Sequence, residues 1–350
     1  MPYRRTTLAK FIIEDRRRQG TPAPELVALF LDVQRAIKMI AASVSYGALV
    51  PRSPYGNEDR IDAAANEIML ATCEWGGYLG GMASQATEAL YPIPPEYPKG
   101  RYLLNFYPLE GSSNIDVNVA VGTIFSVLLA PEDVTEPTAE HFLQPGASQV
   151  AAGYALYGPS TMLVLTLGTG VHGFTLDREA GAFALTHPDM RIPDTGTEFA
   201  INASYERFWE APVRRYVEEC IQGKSGPRGT DFSMRWIAST VAEVHRILIR
   251  GGLFMSPRGT RDPENPGGLP LLYEANPMAM VVEQAGGAAS TGRERILGVT
   301  PSELHQRVPL ILGSRVEVER LGTYHEAHDR GEDFQFQTPL FNPRSLFRSS

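Results

Sequence analysis

Between Glu25 and Ala48 the apolar residues Leu26, Leu29, Phe30, Val33, Ile37 and Ile40 recur every three or four positions. That spacing predicts a helix with one buried face. Pro51, Pro54 and Gly56 follow and are expected to end it. A second helix is predicted over Asp62 to Trp75, and Phe11, Ile12 and Ile13 mark the apolar side of an N-terminal one. The Gly-rich run GGYLGGMAS suits a turn that feeds a short strand.

The period then changes from helical to extended. Tyr102 to Phe106 reads as a strand, PLEGSSN as a turn, and Val117 to Leu129 as a buried strand of small and β-branched residues. Ala151 to Tyr157, Met162 to Leu167, Gly173 to Leu176 and Ala182 to Leu185 follow at the close spacing of an antiparallel sheet. Beyond the Pro-, Asp- and Gly-rich stretch PDMRIPDTGT, helical periods return at Pro212 to Ile221 and Met234 to Ile249. Phe254, Leu271 to Glu274, a helix over Pro277 to Gln284 and a strand over Val308 to Gly313 complete a mixed α/β second half. A polar tail from His325 onward is expected to be loosely held. The change of pattern places a boundary between two domains, 1–192 and 193–340, consistent with a chain of 350 residues.

Composition narrows the functional classes. A hydrophobic share of 43% with 21% charged residues suits a soluble globular protein, and a net charge of -8 argues against nucleic-acid binding, which needs an excess of Lys and Arg. No apolar run approaches the roughly 20 residues of a membrane span. Cys73 and Cys220, distant in sequence and set among apolar neighbours, read as reduced, buried thiols. A cytoplasmic location is expected.

One segment carries candidate chemistry. Glu110-Gly111-Ser112-Ser113-Asn114 lies at a strand end, where glycine permits close approach and successive N–H groups and hydroxyls can surround a phosphate. A Gly-Ser turn without a ligand is the competing reading. Acidic residues at other element ends, Asp62, Glu67, Asp116 and Glu274, are candidates to converge on it. Phosphate monoesters hydrolyse very slowly in water, and hard cations held by several carboxylates neutralise the phosphoryl charge and activate the attacking water. Lys224, Arg228 and Arg235 form a basic stretch suited to a phosphate or to a solvated loop, while His172, His245 and His305 are too dispersed for a zinc site.

The runs EWGGYLGGMAS, PLEGSSNIDVN, FLQPGASQVAAGYALYGPSTMLVLT, FAINAS, SGPRG, MRWIAS and LLYEANPMA, in this order, resemble class I fructose-1,6-bisphosphatase in the form found with bacterial carbon-fixation genes. The similarity extends from about Thr6 to Phe347. It implies a two-domain α/β protein of stacked helix and sheet layers: an N-terminal domain with the metal and phosphate loop, and a C-terminal sugar-binding domain. It further implies a homotetramer that removes the 1-phosphate of fructose 1,6-bisphosphate with Mg2+. Carried over position by position, Asp62 and Glu67 are the catalytic acids. Glu110, Gly111, Ser112, Ser113, Asn202, Tyr205 and Arg235 bind substrate, with Arg235 reaching into a neighbouring subunit. Gln85, the Leu109 carbonyl, Glu110 and Glu274 remain for metal.

The departures from the family pattern fall at its active centre. The family loop reads aspartate, proline, leucine, aspartate, glycine, serine, serine, and this chain has Tyr107, Pro108, Leu109, Glu110, Gly111, Ser112 and Ser113. The family's serine-glutamate-glutamate run is Ser84, Gln85 and Ala86 here. Ser256 stands where many members have a tyrosine, Gly268 where a lysine reaches the substrate and Pro270 where an arginine follows. Loss of the lysine removes a charge-assisted contact worth about 2 kcal/mol. The segment Val50 to Arg60 is shorter than the family's mobile loop, which excludes water on closure. The resemblance therefore leads to weak or partial Mg2+ binding and to hydrolysis that is impaired or lost. The alternatives are a non-catalytic phosphosugar-binding partner, including one assembled with an active relative, and a phosphatase of altered substrate.

Overall fold

The computed structural model describes residues 5–21, 23–47, 58–261 and 267–332. Three helices open the chain: α1 (Leu8–Arg18), α2 (Pro24–Tyr46) and α3 (Glu58–Cys73). The predicted loop from Val50 lies almost wholly outside the described residues. Eight strands follow, β1 (Leu79–Ser84), β2 (Tyr91–Pro92), β3 (Tyr102–Glu110), β4 (Val121–Leu129), β5 (Ala151–Tyr157), β6 (Thr161–Thr166), β7 (Val171–Asp177) and β8 (Ala182–His187). They form one sheet in the order β2-β1-β3-β4-β5-β6-β7-β8, antiparallel except for the parallel pair β1 and β3.

The second half supplies β9 (Glu198–Ile201), α4 (Ala211–Gln222), β10 (Ser233–Met234), α5 (Thr240–Arg250), β11 (Leu253–Ser256), β12 (Leu269–Pro270), α6 (Asn276–Gln284), β13 (Ala288–Ser290), β14 (Arg307–Val308), β15 (Leu310–Gly313) and α7 (Arg315–Asp329). The order β10-β9-β11-β15-β13 makes a second sheet, and β12 pairs with β14 in a short ribbon.

Alternation along the strands generates the layers. On β4, Phe125 and Val127 join the core that also holds Phe30, Val33 and Ile37 of α2, whereas Ile124 belongs to a second core with Val241, Phe254 and Met278. Phe30 and Phe125 meet edge-on at 6.0 Å, and burying each such ring contributes about 2 to 3 kcal/mol. In the second sheet, Ala200, Phe254 and Leu312 face α5 and α6, while Phe199, Leu253 and Ile311 face α4 and α7. The result is helix, sheet, helix, sheet, helix, an α/β architecture of stacked layers. The middle core contains residues from both halves of the chain.

Several predicted elements change character. The helix expected from Met234 starts only at Thr240, because Ser233 and Met234 pair with Glu198 and Phe199 and Ala238 adopts a positive φ of 60°. Leu271 to Ala275 is a π-helical turn that leads into α6; a short apolar run does not distinguish strand from buried helix. The C-terminal segment is also corrected. His325, where the loosely held tail was expected to begin, is buried in α7, which continues to Asp329; residues 333–350 lie outside the described residues. Cys73 and Cys220 are free and buried, as expected. No helix among the described residues is long and apolar enough to cross a membrane.

Candidate active site

The C-terminal ends of the parallel strands β1 and β3 place Gln85 and Glu110 together. Gln85 leaves β1 with its backbone N–H donating to the Phe106 carbonyl at 3.0 Å, and the preceding Ser84 donates its hydroxyl to Asn66 of α3 at 2.6 Å. On β3 a regular strand would send Tyr107 and Glu110 to opposite faces, since side chains alternate with period two. The pairing with β4 instead runs from Tyr107 opposite Ile124 to Glu110 opposite Gly122, so that Pro108 and Leu109 face the single residue Thr123. This one-residue bulge turns both side chains into the same cavity of about 240 Å3, which Gln85, Glu274 and Arg307 also line.

Glu110 also receives the start of α5. One carboxylate oxygen accepts from the Ser239 hydroxyl at 2.7 Å and the Val241 N–H at 3.2 Å, and the other accepts from the Thr240 N–H at 2.8 Å. The Thr240 and Val241 N–H groups are orphan donors of a helix N-terminus, whose partial positive charge favours a carboxylate. Gly122 permits this approach, because a Cβ there would lie 2.6 Å from Val241 Cγ1 and 2.5 Å from the Ala155 carbonyl oxygen. Gly111, at φ 74°, turns the chain behind Glu110, and Asn114 ties the turn to the Ile237 and Ala238 carbonyls.

The two carboxyl groups of the cavity are coupled. Burial raises the Glu274 carboxyl from 4.5 to about 8, with the charge of Glu110 adding to the effect. Burial also raises Glu110, and its three donors oppose the rise. Burial, then the charges of Glu274, Glu110 and Asp62, push the Tyr107 phenol well above its usual range. The cavity thus presents the Tyr107 phenol, the Gln85 amide, the Glu274 carboxyl, a Glu110 carboxyl already engaged by a helix and the Arg307 guanidinium.

A second cavity of about 320 Å3 lies alongside, lined by Asn202, Tyr205, Phe208 and Met255. Trp236, Ser256 and Gly268 line both, which makes the two continuous at a shared rim. Trp236 stacks on Phe254 with 8° between the rings and their centroids 6.3 Å apart. Asn202 caps the short turn Ala203–Phe208 by accepting from the Ser204 N–H at 3.1 Å.

Residues 6–188 match the family model for the fructose-1-6-bisphosphatase N-terminal domain, and residues 192–326 match the model for its C-terminal domain. The chain belongs to the fructose-1,6-bisphosphatase family. A class 1 fructose-1,6-bisphosphatase of Methylacidiphilum infernorum (isolate V4) is 59% identical over 356 aligned residues, covering 100% of both chains. One of Hydrogenophilus thermoluteolus is 56% identical over 351 residues, covering 98% of this chain and 97% of its own. Leishmania major fructose-1,6-bisphosphatase in holo form shares the fold with a TM-score of 0.83 at 35% identity, over 92% of this chain and 99% of its own; the apo form gives 0.82.

Within this family fold, the expected site residues divide. Gln85, Glu110 and Glu274 share one cavity and Asn202 and Tyr205 the other. Asp62 lies near enough to influence Tyr107. Glu67 does not join them: five residues along α3 from Asp62, about 140° round the helix, it is exposed in a groove with Arg35 and Trp75. Leu109 is fully buried in the first core. Ser112 and Ser113 form the turn beyond Glu110 and line neither cavity.

The basic stretch is dispersed by pairing. Arg228 is buried against Glu317 at 2.6 Å, Lys224 meets Asp231 at 3.0 Å and Arg235 meets Glu198 at 3.4 Å. The three histidines hydrogen-bond within the fold: His245 lies 2.9 Å from the Tyr154 hydroxyl, His172 accepts from the Asp189 N–H at 3.0 Å, and His305 lies 3.0 Å from the Thr87 carbonyl.

The donor set does not fit a cluster of divalent ions. Hard cations at a phosphoryl centre need several ionised oxygen ligands. Here the oxygens of Glu110 carry three protein donors, and Gln85, Ala86 and Tyr107 offer no carboxylate. No group of three His, Cys, Asp or Glu able to hold a metal occurs among the described residues. Sequence reasoning missed Arg307, Ser239 and Trp236; only MRWIAS hinted at the last two, as part of a family-like run.

Proposed function

We propose that this member of the fructose-1,6-bisphosphatase family binds a phosphorylated sugar, fructose 1,6-bisphosphate or a close analogue, across the two joined cavities and hydrolyses it weakly or not at all. The observation that carries the reading is the engagement of Glu110 by Ser239, Thr240 and Val241 beside the buried Glu274. Preorganised charge at a developing transition state is worth orders of magnitude in rate, and Tyr107, Gln85 and Ala86 supply none of it. Any Mg2+ held by Gln85, Glu110, Glu274 and the Leu109 carbonyl is bound weakly. The division of labour follows the domains: 1–192 contributes Gln85, Tyr107 and Glu110 at the end of the phosphate loop, and 193–340 the sugar side. A cytoplasmic homotetramer accompanies this reading, supported by the exposed position of Arg235, whose side chain is 54% accessible and available to a neighbouring subunit.

The test is phosphate release from fructose 1,6-bisphosphate with magnesium or manganese. Turnover below about 1 per second is expected, and turnover in the ordinary enzyme range of about 1 to 1000 per second contradicts weak catalysis. Ser256 and Gly268, with small side chains at the shared rim, favour a second reading, a change in the sugar accepted. Phosphate release from a panel of sugar bisphosphates distinguishes it.

A further inference from the structure

We infer that Arg307 is the cationic anchor for a ligand phosphate in the cavity formed with Gln85, Tyr107, Glu110 and Glu274, acting without a divalent metal. The inference rests on the phosphosugar reading above and adds a residue to it. Arg307 is the cationic side chain among the residues lining that cavity, and it is exposed to the cavity mouth.

Three features hold it there. β14 pairs with β12 so that Arg307 lies opposite Pro270, and the Leu271 N–H donates to the neighbouring Gln306 carbonyl at 2.8 Å. The same ribbon leads directly into the π-helical turn that carries Glu274. The guanidinium Nη1 donates to the Gly268 carbonyl at 2.5 Å, fixing the charge at the rim between the two cavities. A guanidinium has five donors in a planar fork suited to phosphate, and the Gly268 carbonyl takes one of them.

The chemistry of the rim agrees. Gly268 brings no side chain, and a Cβ there would come 3.3 Å from the Ser256 hydroxyl, so these two small residues leave the approach to Arg307 open. A phosphate entering beside two carboxyl groups needs a compensating positive charge. With a metal cluster disfavoured by the engaged oxygens of Glu110, the guanidinium is the group in place to supply it.

Calorimetric titration in EDTA tests the inference, using fructose 1,6-bisphosphate and fructose 6-phosphate against the wild-type chain, Arg307→Gln and Arg307→Lys. The wild type is expected to bind the bisphosphate without metal. Arg307→Gln should weaken the bisphosphate about tenfold or more while changing fructose 6-phosphate less than about twofold, and Arg307→Lys should fall between. A merely structural role would weaken both ligands alike, and that result overturns the anchor. Unchanged bisphosphate affinity in Arg307→Gln, or wild-type binding only when magnesium is restored, also overturns it while the phosphosugar reading stands. Wild-type failure to bind either sugar with or without magnesium sinks both.

Discussion

The Glu110 carboxylate and the Ser239 hydroxyl, 129 positions apart in the chain, meet at 2.7 Å and join the end of β3 to the start of α5. Glu110→Ala would leave the Ser239 hydroxyl and the Thr240 and Val241 N–H groups buried without their acceptor. Each buried unpaired donor costs about 1 to 3 kcal/mol, so a loss of at least about 2 kcal/mol in urea denaturation is expected. Gln85→Ala, at the partly exposed cavity wall, should change stability by less than about 0.5 kcal/mol. Equal shifts for the two variants would show that Glu110 is not a structural cap.

The Glu274 proton gives a second consequence. Its folded-state value of about 8 lies above the ordinary 4.5, so the native state binds the proton more tightly than the unfolded chain. The associated stability is fully present below about pH 4.5 and is lost as pH rises through about 8. Melting temperature should therefore fall between about pH 5 and 8 in the wild type, level off above about 8, and fall less in Glu274→Gln. Binding of a divalent cation, which needs the deprotonated carboxyl, should strengthen over the same interval. Parallel melting profiles for wild type and variant would refute the assignment of the proton to Glu274.

The C-terminal helix offers a test of packing rather than chemistry. Leu321 of α7 is fully buried with Val318, Tyr216 and Ile311. Leu321→Ala is expected to destabilise by about 2 to 5 kcal/mol, measured by chemical denaturation. A change below about 0.5 kcal/mol would contradict the packing of α7 against α4 and β15.

What could be read from the chain followed the strength of local periodicity. Leu26 to Ile40 announced α2, and the alternating runs from Ala151 to Leu185 announced an antiparallel sheet, because one buried face imposes a repeat on each. Helix α7 was obscured because Val318, Leu321 and His325 are separated by charged and polar residues. The strand end carrying Glu110, the helix contribution of Glu274 and the presence of Gln85 were legible through family-like runs. The bulge between Tyr107 and Glu110 was not, since it is visible only in the pairing with β4. Arg307 escaped for a related reason: its partner Gly268 lies 39 positions away, across a two-residue ribbon without a sequence repeat.

The central claim is that carboxylates missing or engaged in the cavity limit the reaction. It is tested most directly by the ratio of kcat for phosphate release between the variant Gln85→Glu, Ala86→Glu, Tyr107→Asp, Glu110→Asp and the wild type, with fructose 1,6-bisphosphate and magnesium. The shorter Asp at position 110 withdraws from α5, and the other three changes add charge. A gain of about a hundredfold or more is predicted. No gain in a folded variant would contradict the account and place the limit in the loop from Val50 or in the sugar cavity.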